Sequence, residues 1–332
     1  MPVNPPTMRA IIHDGYGAPE RVLRLEEIPV PKIGATDVLI RMRATSVNTP
    51  DWATVIGVPY ILRLSSGLRR PKRPVRGSDV AGVVEAVGQQ VTDLAPGDDV
   101  FGSTRAQAGA FAEYVVAPAA QLITKPAGLS FEDAAASVMT GLAALVAMRD
   151  VANVGAGTRV LINGASGGVG TMAVQIAKAL GGKVTGVCGT HHLELVRSLG
   201  ADHVIDYTRE DFTQSRERFD VILDNVLNHP PKATARVLAP KGVLIPNSLG
   251  NTGGFLAGLP RTARAVLMGL GSTTVKLVTP AVNRENLEAL RRLLEPGQIK
   301  VVTDKTYPLD QAAIAVTQML EHHANGKIAI TM

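Results

Sequence analysis

From Met8 to about Pro126, short runs of apolar and β-branched residues are broken by Gly, Pro and Asp: "RAIIHD", "DVLIRMRATSVN", "GSDVAGVVEAVG", "GDDVFGS", "FAEYVVAP" and "LITKP". Short strands with turn residues at this spacing predict a twisted, barrel-like β domain. The period changes at Ser130. "FEDAAASVMTGLAALVAMRD" has helical spacing, and "RVLING", "KVTGVC", "HVIDY", "FDVILDNV", "GVLIPNS" and "TVKLVT" follow as buried strands, mostly separated by helical patterns. Such alternation predicts a doubly wound parallel sheet, so the fold class is α/β. After Asn283, "RENLEALRRLLEPG" predicts a helix, "IKVV" a strand, residues 309–322 another helix and "GKIAITM" a last strand. A terminal β segment after a complete α/β unit is expected to return to the first domain. The expected division is therefore 1–126 with 281–332, and 127–280.

Composition narrows this picture. The 332 residues suffice for two domains with their own cores, and 45% hydrophobic against 19% charged residues is globular. The net charge of +5 and pI of about 9.4 would suit an anionic ligand. That charge is spread along the chain without a nucleic-acid-binding signature, so nucleic acid is not an expected partner. Cys188 is the only cysteine, which excludes an intrachain disulfide and a thiolate cluster for zinc. The segment "MPVNPPTMRAIIHDG" has no apolar core of a signal peptide, and no uninterrupted apolar stretch is long enough to span a bilayer. The expectation is a soluble, cytoplasmic protein.

The candidate chemistry centres on "VLINGASGGVGTMAVQIAKALGGKVTGVCGTHH", residues 160–192. Ala165, Ser166, Gly167, Gly168, Val169 and Gly170 follow the G-x-G-x-x-G pattern with Ala in the first place. Gly167 would let the backbone approach a pyrophosphate, and Gly170 would let the helix pack closely. The start of that helix would aim free N–H groups and its positive dipole end at phosphates. Where an NAD site usually carries Asp or Glu after the second strand, this chain has Gly189, then Thr190, His191 and His192. A carboxylate there repels a 2′-phosphate, whereas Gly189 leaves room and Thr190 and His191 can donate. The expected cofactor is NADPH. Tyr207, after the third strand, either reaches the same phosphate or caps the sheet edge. Asn247 and Ser248, after the fifth strand, are expected at the nicotinamide end of the carboxyl edge.

Several of these segments carry a family resemblance. "GSDVAGVVEAVGQQVTDLAPGDDVFG", "GAFAEYVVAP", "VLINGASGGVGTMAVQIAKALG", "LGADHVIDY" and "GKIAI" resemble, in order, the zinc-independent (zeta-crystallin-like) quinone oxidoreductases of the medium-chain dehydrogenase/reductase superfamily. The resemblance implies a GroES-like β-barrel catalytic domain, a Rossmann domain, a site between them and a homodimer. It implies that Asn48, in "SVNTPDW", lies beside nicotinamide and substrate, while Asp51 fixes that loop; a purely loop-stabilising Asn48 is the alternative. Tyr60 either donates to a substrate carbonyl at the site's mouth or only packs. Thr140 is expected where a helix starts near the nicotinamide, although the threonine common in relatives is Ala143 here. Lys327 resembles a position near the cofactor cleft. Zinc-containing relatives have an early catalytic cysteine and a four-cysteine loop, and this chain has neither. The seven histidines lack metal-ligand spacing, so no metal site is expected. Hydride transfer to a quinone or activated enone is the expected reaction; an enoyl-thioester reductase and a non-catalytic NADPH-binding redox sensor are the alternatives.

Two segments stand outside that reading. "GLRRPKRPVRG" concentrates Arg69, Arg70, Lys72, Arg73 and Arg76 in one loop, either simply solvated or facing an anionic lipid or acidic partner. In residues 254–272, Phe255, Leu256, Leu259, Ala263, Val266, Leu267 and Leu270 make an apolar stripe, with Arg261 and Arg264 off it. Such a stripe is buried in a core, pairs two copies, or gives weak peripheral membrane contact.

Overall fold

A computed structural model describes residues 6–104, 108–248, 259–270, 273–321 and 325–332. The chain divides into two compact units, 1–139 with 282–296 and 303–332, and 140–281 with 297–302. The first break falls inside a helix rather than at 126.

In the first unit, β1 (Thr7–His13) and β2 (Leu23–Pro29) form an antiparallel pair. There follow β3 (Asp37–Ser46), β4 (Asp79–Val87), β5 (Asp99–Ser103), β6 (Tyr114–Pro118) and β7 (Leu122–Thr124). Their inward positions alternate as the pattern requires: Val38, Ile40 and Met42 of β3 pack with Val80 and Val84 of β4, Val100 and Leu122. Two segments cross from β3 to β4, and both matter below: the helix Thr49–Ile56 and the turns Tyr60–Leu62 and Arg63–Ser66.

The second unit holds β8 (Arg159–Asn163), β9 (Lys183–Cys188), β10 (His203–Asp206), β11 (Phe219–Asp224), β12 (Leu238–Pro246) and β13 (Thr274–Val275). They form one parallel sheet in the order β10-β9-β8-β11-β12-β13. The order reverses between β8 and β11, which places the switch point at Asn163 and Asp224, where ligands of such sheets bind. The sixth strand is shorter than "TVKLVT" predicts: only Thr274 and Val275 pair.

β14 (Thr303–Pro308) and β15 (Lys327–Thr331) close the chain. β15 pairs antiparallel with β3, and the first unit's larger sheet runs β14-β15-β3-β4-β5-β7, with β6 also on β3. The expected strand at "IKVV" is displaced: residues 300–302 are irregular and the strand begins at Thr303.

The helix Phe131–Leu145 starts at Ser130, whose hydroxyl accepts the Asp133 N–H at 3.1 Å, with Glu132 and Asp133 favourable at the positive end. It continues through a π-helical turn, Val146–Val151. The continuous helix Phe131–Val151 is, by length and composition, apolar enough to cross a membrane, although charged residues interrupt its apolar run. Its most apolar window is 78% buried within the protein, so the apolar residues serve as core.

Candidate active site

In the first unit, the end of β3, the start of the next helix, the start of β4 and the start of β15 bring together Ser46, Asn48, Asp51, Ser78, Asp79 and Lys327. All six are nearly inaccessible to solvent. Asn48 is the N-cap of the helix Thr49–Ile56, and its backbone N–H donates to Asp51 Oδ2 at 2.9 Å. The other carboxylate oxygen of Asp51 accepts the Gly77 N–H at 3.1 Å, so this residue ties the helix start to the approach of β4. The Asn48 amide is engaged at both ends. Its Nδ2 donates to Asp79 Oδ2 at 2.7 Å and to Ser78 Oγ at 3.3 Å, and its Oδ1 accepts from Lys327 Nζ at 2.7 Å. Ser46 Oγ donates to the same Asp79 oxygen, and Lys327 also donates to the Val47 carbonyl.

Burial sets the charges here. It pushes the Asp51 carboxyl up to about 7, with the nearby Asp79 charge raising it further and the two backbone donors and Lys327 opposing. Asp79 is likewise pushed up by burial, against Lys327 and its hydroxyl and amide donors. The Lys327 ammonium is pushed down by burial while both carboxylates hold it up. Asn48 therefore bridges a buried acid and a buried base.

The structure places each expected residue, and it corrects Thr140. Asn48 is a braced helix cap, not a loop side chain, and its amide is spent inside the cluster. Lys327 points its ammonium into that cluster. Tyr60 lies at the surface, 41% exposed, with the Arg63 guanidinium 4.3 Å from its ring centroid. Thr140 is buried in the interior of the helix Phe131–Leu145, not at its start.

In the second unit the glycine turn joins β8 to the helix Gly168–Ala179. Gly164 has φ +77°, which favours glycine, and a Cβ there would sit 2.9 Å from Val226 Cγ2. A Cβ on Gly170 would lie 2.1 Å from the Gly164 carbonyl oxygen, so that glycine is required by backbone contact. Gly167, the N-cap, differs: its Cβ would find nothing nearer than 3.5 Å. Ala165 is buried, while Ser166, Gly167, Gly168 and Val169 line a partly open surface beside the helix's free N–H groups. This cradle fits a nucleotide diphosphate.

A carboxylate does stand beside the turn after β9, on the next strand. Asp206, at the end of β10, accepts Thr190 Oγ1 at 2.6 Å and Thr208 Oγ1 at 2.7 Å, and the Arg209 guanidinium lies 3.6 Å away. The Thr190 hydroxyl is thus committed to Asp206 rather than free for a phosphate. The hydroxyls and N–H groups around Asp206 hold its carboxyl below the usual range. His191 is exposed, and Tyr207 leans over Gly189, whose added Cβ would meet the phenol oxygen at 3.3 Å.

At the switch point Asn247 belongs to a polar ladder whose other members the sequence reading did not name. Asn163 Nδ2 donates to Asp224 Oδ1 at 2.8 Å and to Asn228 Oδ1 at 3.0 Å, and Asn247 Nδ2 donates to Asn225 Oδ1 at 2.8 Å. Asp224 also accepts the N–H of Leu227, a residue held at φ +55°. Ser248 follows Asn247, and its carbonyl accepts from Thr262 at 3.5 Å. The signal was available: "VLIN", "VILDN" and "LIPN" each end an apolar strand on an amide or acid.

The donor set does not fit catalytic zinc. The cluster offers amide, hydroxyl, carboxylate and ammonium groups already bonded to one another, and Cys188 is buried at the end of β9 with its thiol pushed up to about 11 by burial. Among the described residues, no three His, Cys, Asp or Glu side chains are grouped to hold a metal ion.

A β unit carrying a buried polar cluster, joined in one chain to a parallel sheet with a phosphate cradle, defines a nicotinamide-dependent oxidoreductase. The comparisons with known proteins give the family. The "Alcohol dehydrogenase GroES-like domain" model matches residues 34–127, and the "Zinc-binding dehydrogenase" model matches 199–330. A chloroplastic quinone oxidoreductase of Triphysaria versicolor is 31% identical over 341 residues, covering 97% of this chain and 98% of that protein. The chloroplastic NADPH-dependent alkenal/one oxidoreductase of Arabidopsis thaliana is 32% identical over 342 residues, covering 98% and 80%. The crystal structure of Escherichia coli quinone oxidoreductase complexed with NADPH superposes with a TM-score of 0.82 at 25% identity, covering 98% of this chain and 100% of that one. The chain belongs to the medium-chain dehydrogenase/reductase superfamily, in its quinone-oxidoreductase-like branch. It is an oxidoreductase.

Proposed function

We propose that this oxidoreductase uses NADPH to reduce quinones or activated enones without a metal. The observation that carries the reading is the donor chemistry of the Asn48 cluster, which has no group able to polarise an alcohol as a Lewis acid would. The acceptor must then be activated by its own conjugation. Relatives that act on quinones and on alkenals and enones support the same class. Bound in its reduced form, the nicotinamide supplies the hydride. The backbone N–H groups at Gly168 and Val169 hold the diphosphate, and the ladder from Asn163 to Asn247 offers amides at the carboxyl edge for the nicotinamide end.

NADPH is preferred over NADH on two grounds. No carboxylate directly follows β9, and Asp206 on the neighbouring strand is engaged by threonine donors with the exposed Arg209 guanidinium 3.6 Å away, while His191 is exposed on the turn after Gly189. A specific observation favours the opposite order: Asp206 could itself accept ribose hydroxyls. The test is nucleotide titration followed by cofactor oxidation with quinones, enones and enoyl thioesters. Tighter NADPH binding, weakened by Gly189→Asp, and turnover on quinones or enones are expected. Equal affinity for both nucleotides would return Asp206 to the role of ribose acceptor. Turnover on enoyl thioesters alone would move the chain to that class.

A further inference from the structure

Eleven large apolar side chains are conspicuously exposed among the described residues, and four of them fall within nine positions: Tyr60, Ile61, Leu64 and Leu68. Leu64 and Leu68 are 69% and 68% exposed. Ile61 and Leu64 stand three apart on consecutive helical turns, Tyr60–Leu62 and Arg63–Ser66, and Leu68 follows the Gly67 turn that ends them.

These side chains are not outward by default of structure, because the segment is built from within. Arg63 sits 4.3 Å from the ring centroids of both Tyr16 and Tyr60, and its Nε donates to the Gly57 carbonyl at 2.9 Å. The Tyr16 hydroxyl donates to the Gly67 carbonyl at 2.6 Å, and the Lys72 N–H closes on the Ser66 carbonyl at 2.7 Å. Gly67 takes φ +124°, a turn that only glycine makes without strain. A fixed scaffold thus presents aliphatic groups to solvent.

The charge beside them is one-sided. Arg69, Arg70, Lys72 and Arg73 are exposed, and from Trp52 to Ser78 the chain has no acidic residue. We propose that residues 60–73 dock on an anionic lipid bilayer, with Ile61, Leu64 and Leu68 entering the headgroup–acyl boundary and the four cations resting on the lipid phosphates. Nucleic acid would engage the cations and leave three aliphatic side chains in water. A purely apolar partner would desolvate the same cations without compensation. The bilayer interface answers both halves of the patch.

The test uses the whole chain and vesicles of phosphatidylcholine, alone or mixed two-to-one with phosphatidylglycerol. The protein should sediment with the mixed vesicles at low salt, be released at high salt, and stay in solution with phosphatidylcholine alone. Leu64→Ser/Leu68→Ser and Arg69→Glu/Arg70→Glu should each weaken sedimentation about tenfold or more with unchanged melting temperatures. The readout involves no turnover, so it stands or falls apart from the proposed reaction. Failure to sediment at low salt, equal sedimentation of the variants, or equal binding to both vesicle types would overturn the proposal. So would a lipid-free dimer that Leu64→Ser/Leu68→Ser converts to monomer, since the patch would then join two copies.

Discussion

Removing the Asn48 side chain would strip bonds from both a buried acid and a buried base. Asp79 would lose its amide donor and Lys327 its amide acceptor, both in a site nearly inaccessible to solvent. Asn48→Ala is therefore expected to cost about 2–4 kcal/mol of stability as well as roughly one to three orders of magnitude in turnover, through misplacement of the helix start and of Lys327. A thermal melt run beside a kcat measurement separates the two effects; an unchanged melt would mean the network carries little. Asp51 gives the same cluster a pH signature. Its folded-state carboxyl titrates at about 7 against an ordinary value of 3.8, so the native protein holds the extra proton and loses stability as pH rises through that interval. His13, lowered to about 4 by burial and the Arg76 charge, acts in the opposite sense from about 4 to 6.5, where stability rises with pH. Between pH 6.5 and about 7.5 only Asp51 contributes of the two. The melting temperature should fall across that window in the wild type and stay flatter in Asp51→Asn. A parallel decline in both proteins would place the titration elsewhere.

At the scale of elements, the glycine turn separates two reasons for having glycine. Gly170 is fixed by packing, since its Cβ would overlap the Gly164 carbonyl. Gly167 is not: alanine fits its backbone angles, φ −80° and ψ 174°, and its surroundings. Gly167→Ala should melt close to wild type and still bind nucleotide about tenfold or more weakly, because the methyl would stand between backbone and phosphates. Undiminished nucleotide affinity would show that the phosphates pass elsewhere. The strands, the glycine turn and the return of the last strand to β3 were legible because hydrophobic period and turn residues are local signals. The Asn48 bridge was not, since Asp79 and Lys327 lie 31 and 279 positions away and only the fold brings them together. The acid beside Gly189 was not legible for a related reason: Asp206 lies on β10 and meets the end of β9 only through parallel pairing, opposite Cys188. The stripe in 254–272 was only partly legible. Among the described side chains of the helix Leu259–Met268, Ala265 is buried whereas Val266 and Leu267 are exposed, and Phe255 and Leu256 lie outside the described residues.

Over the whole molecule, the family match and the side-chain inventory pull in different directions on metal. One matched family model carries zinc in its description, yet the chain has a single cysteine and seven histidines. Cys188 is sealed at the end of β9 with its thiol protonated, and His13 is buried and held neutral beside Arg76. The buried polar cluster of the first unit is instead a set of two carboxylates, an amide and an ammonium bonded to one another, in which Asp79 leaves one carboxylate oxygen without a partner. Displacing those bonds to bind a cation would leave Lys327 buried without its partners, a cost of several kcal/mol that a site without thiolates does not recover. The purified protein is accordingly expected to carry no stoichiometric zinc and to keep its cofactor-dependent turnover after exhaustive treatment with a chelator. Elemental analysis and a chelator titration of the reductase assay check this together. One tightly held zinc per chain, with activity lost on its removal and restored by its return, would show that the cluster rearranges around a metal and would reopen alcohols as substrates.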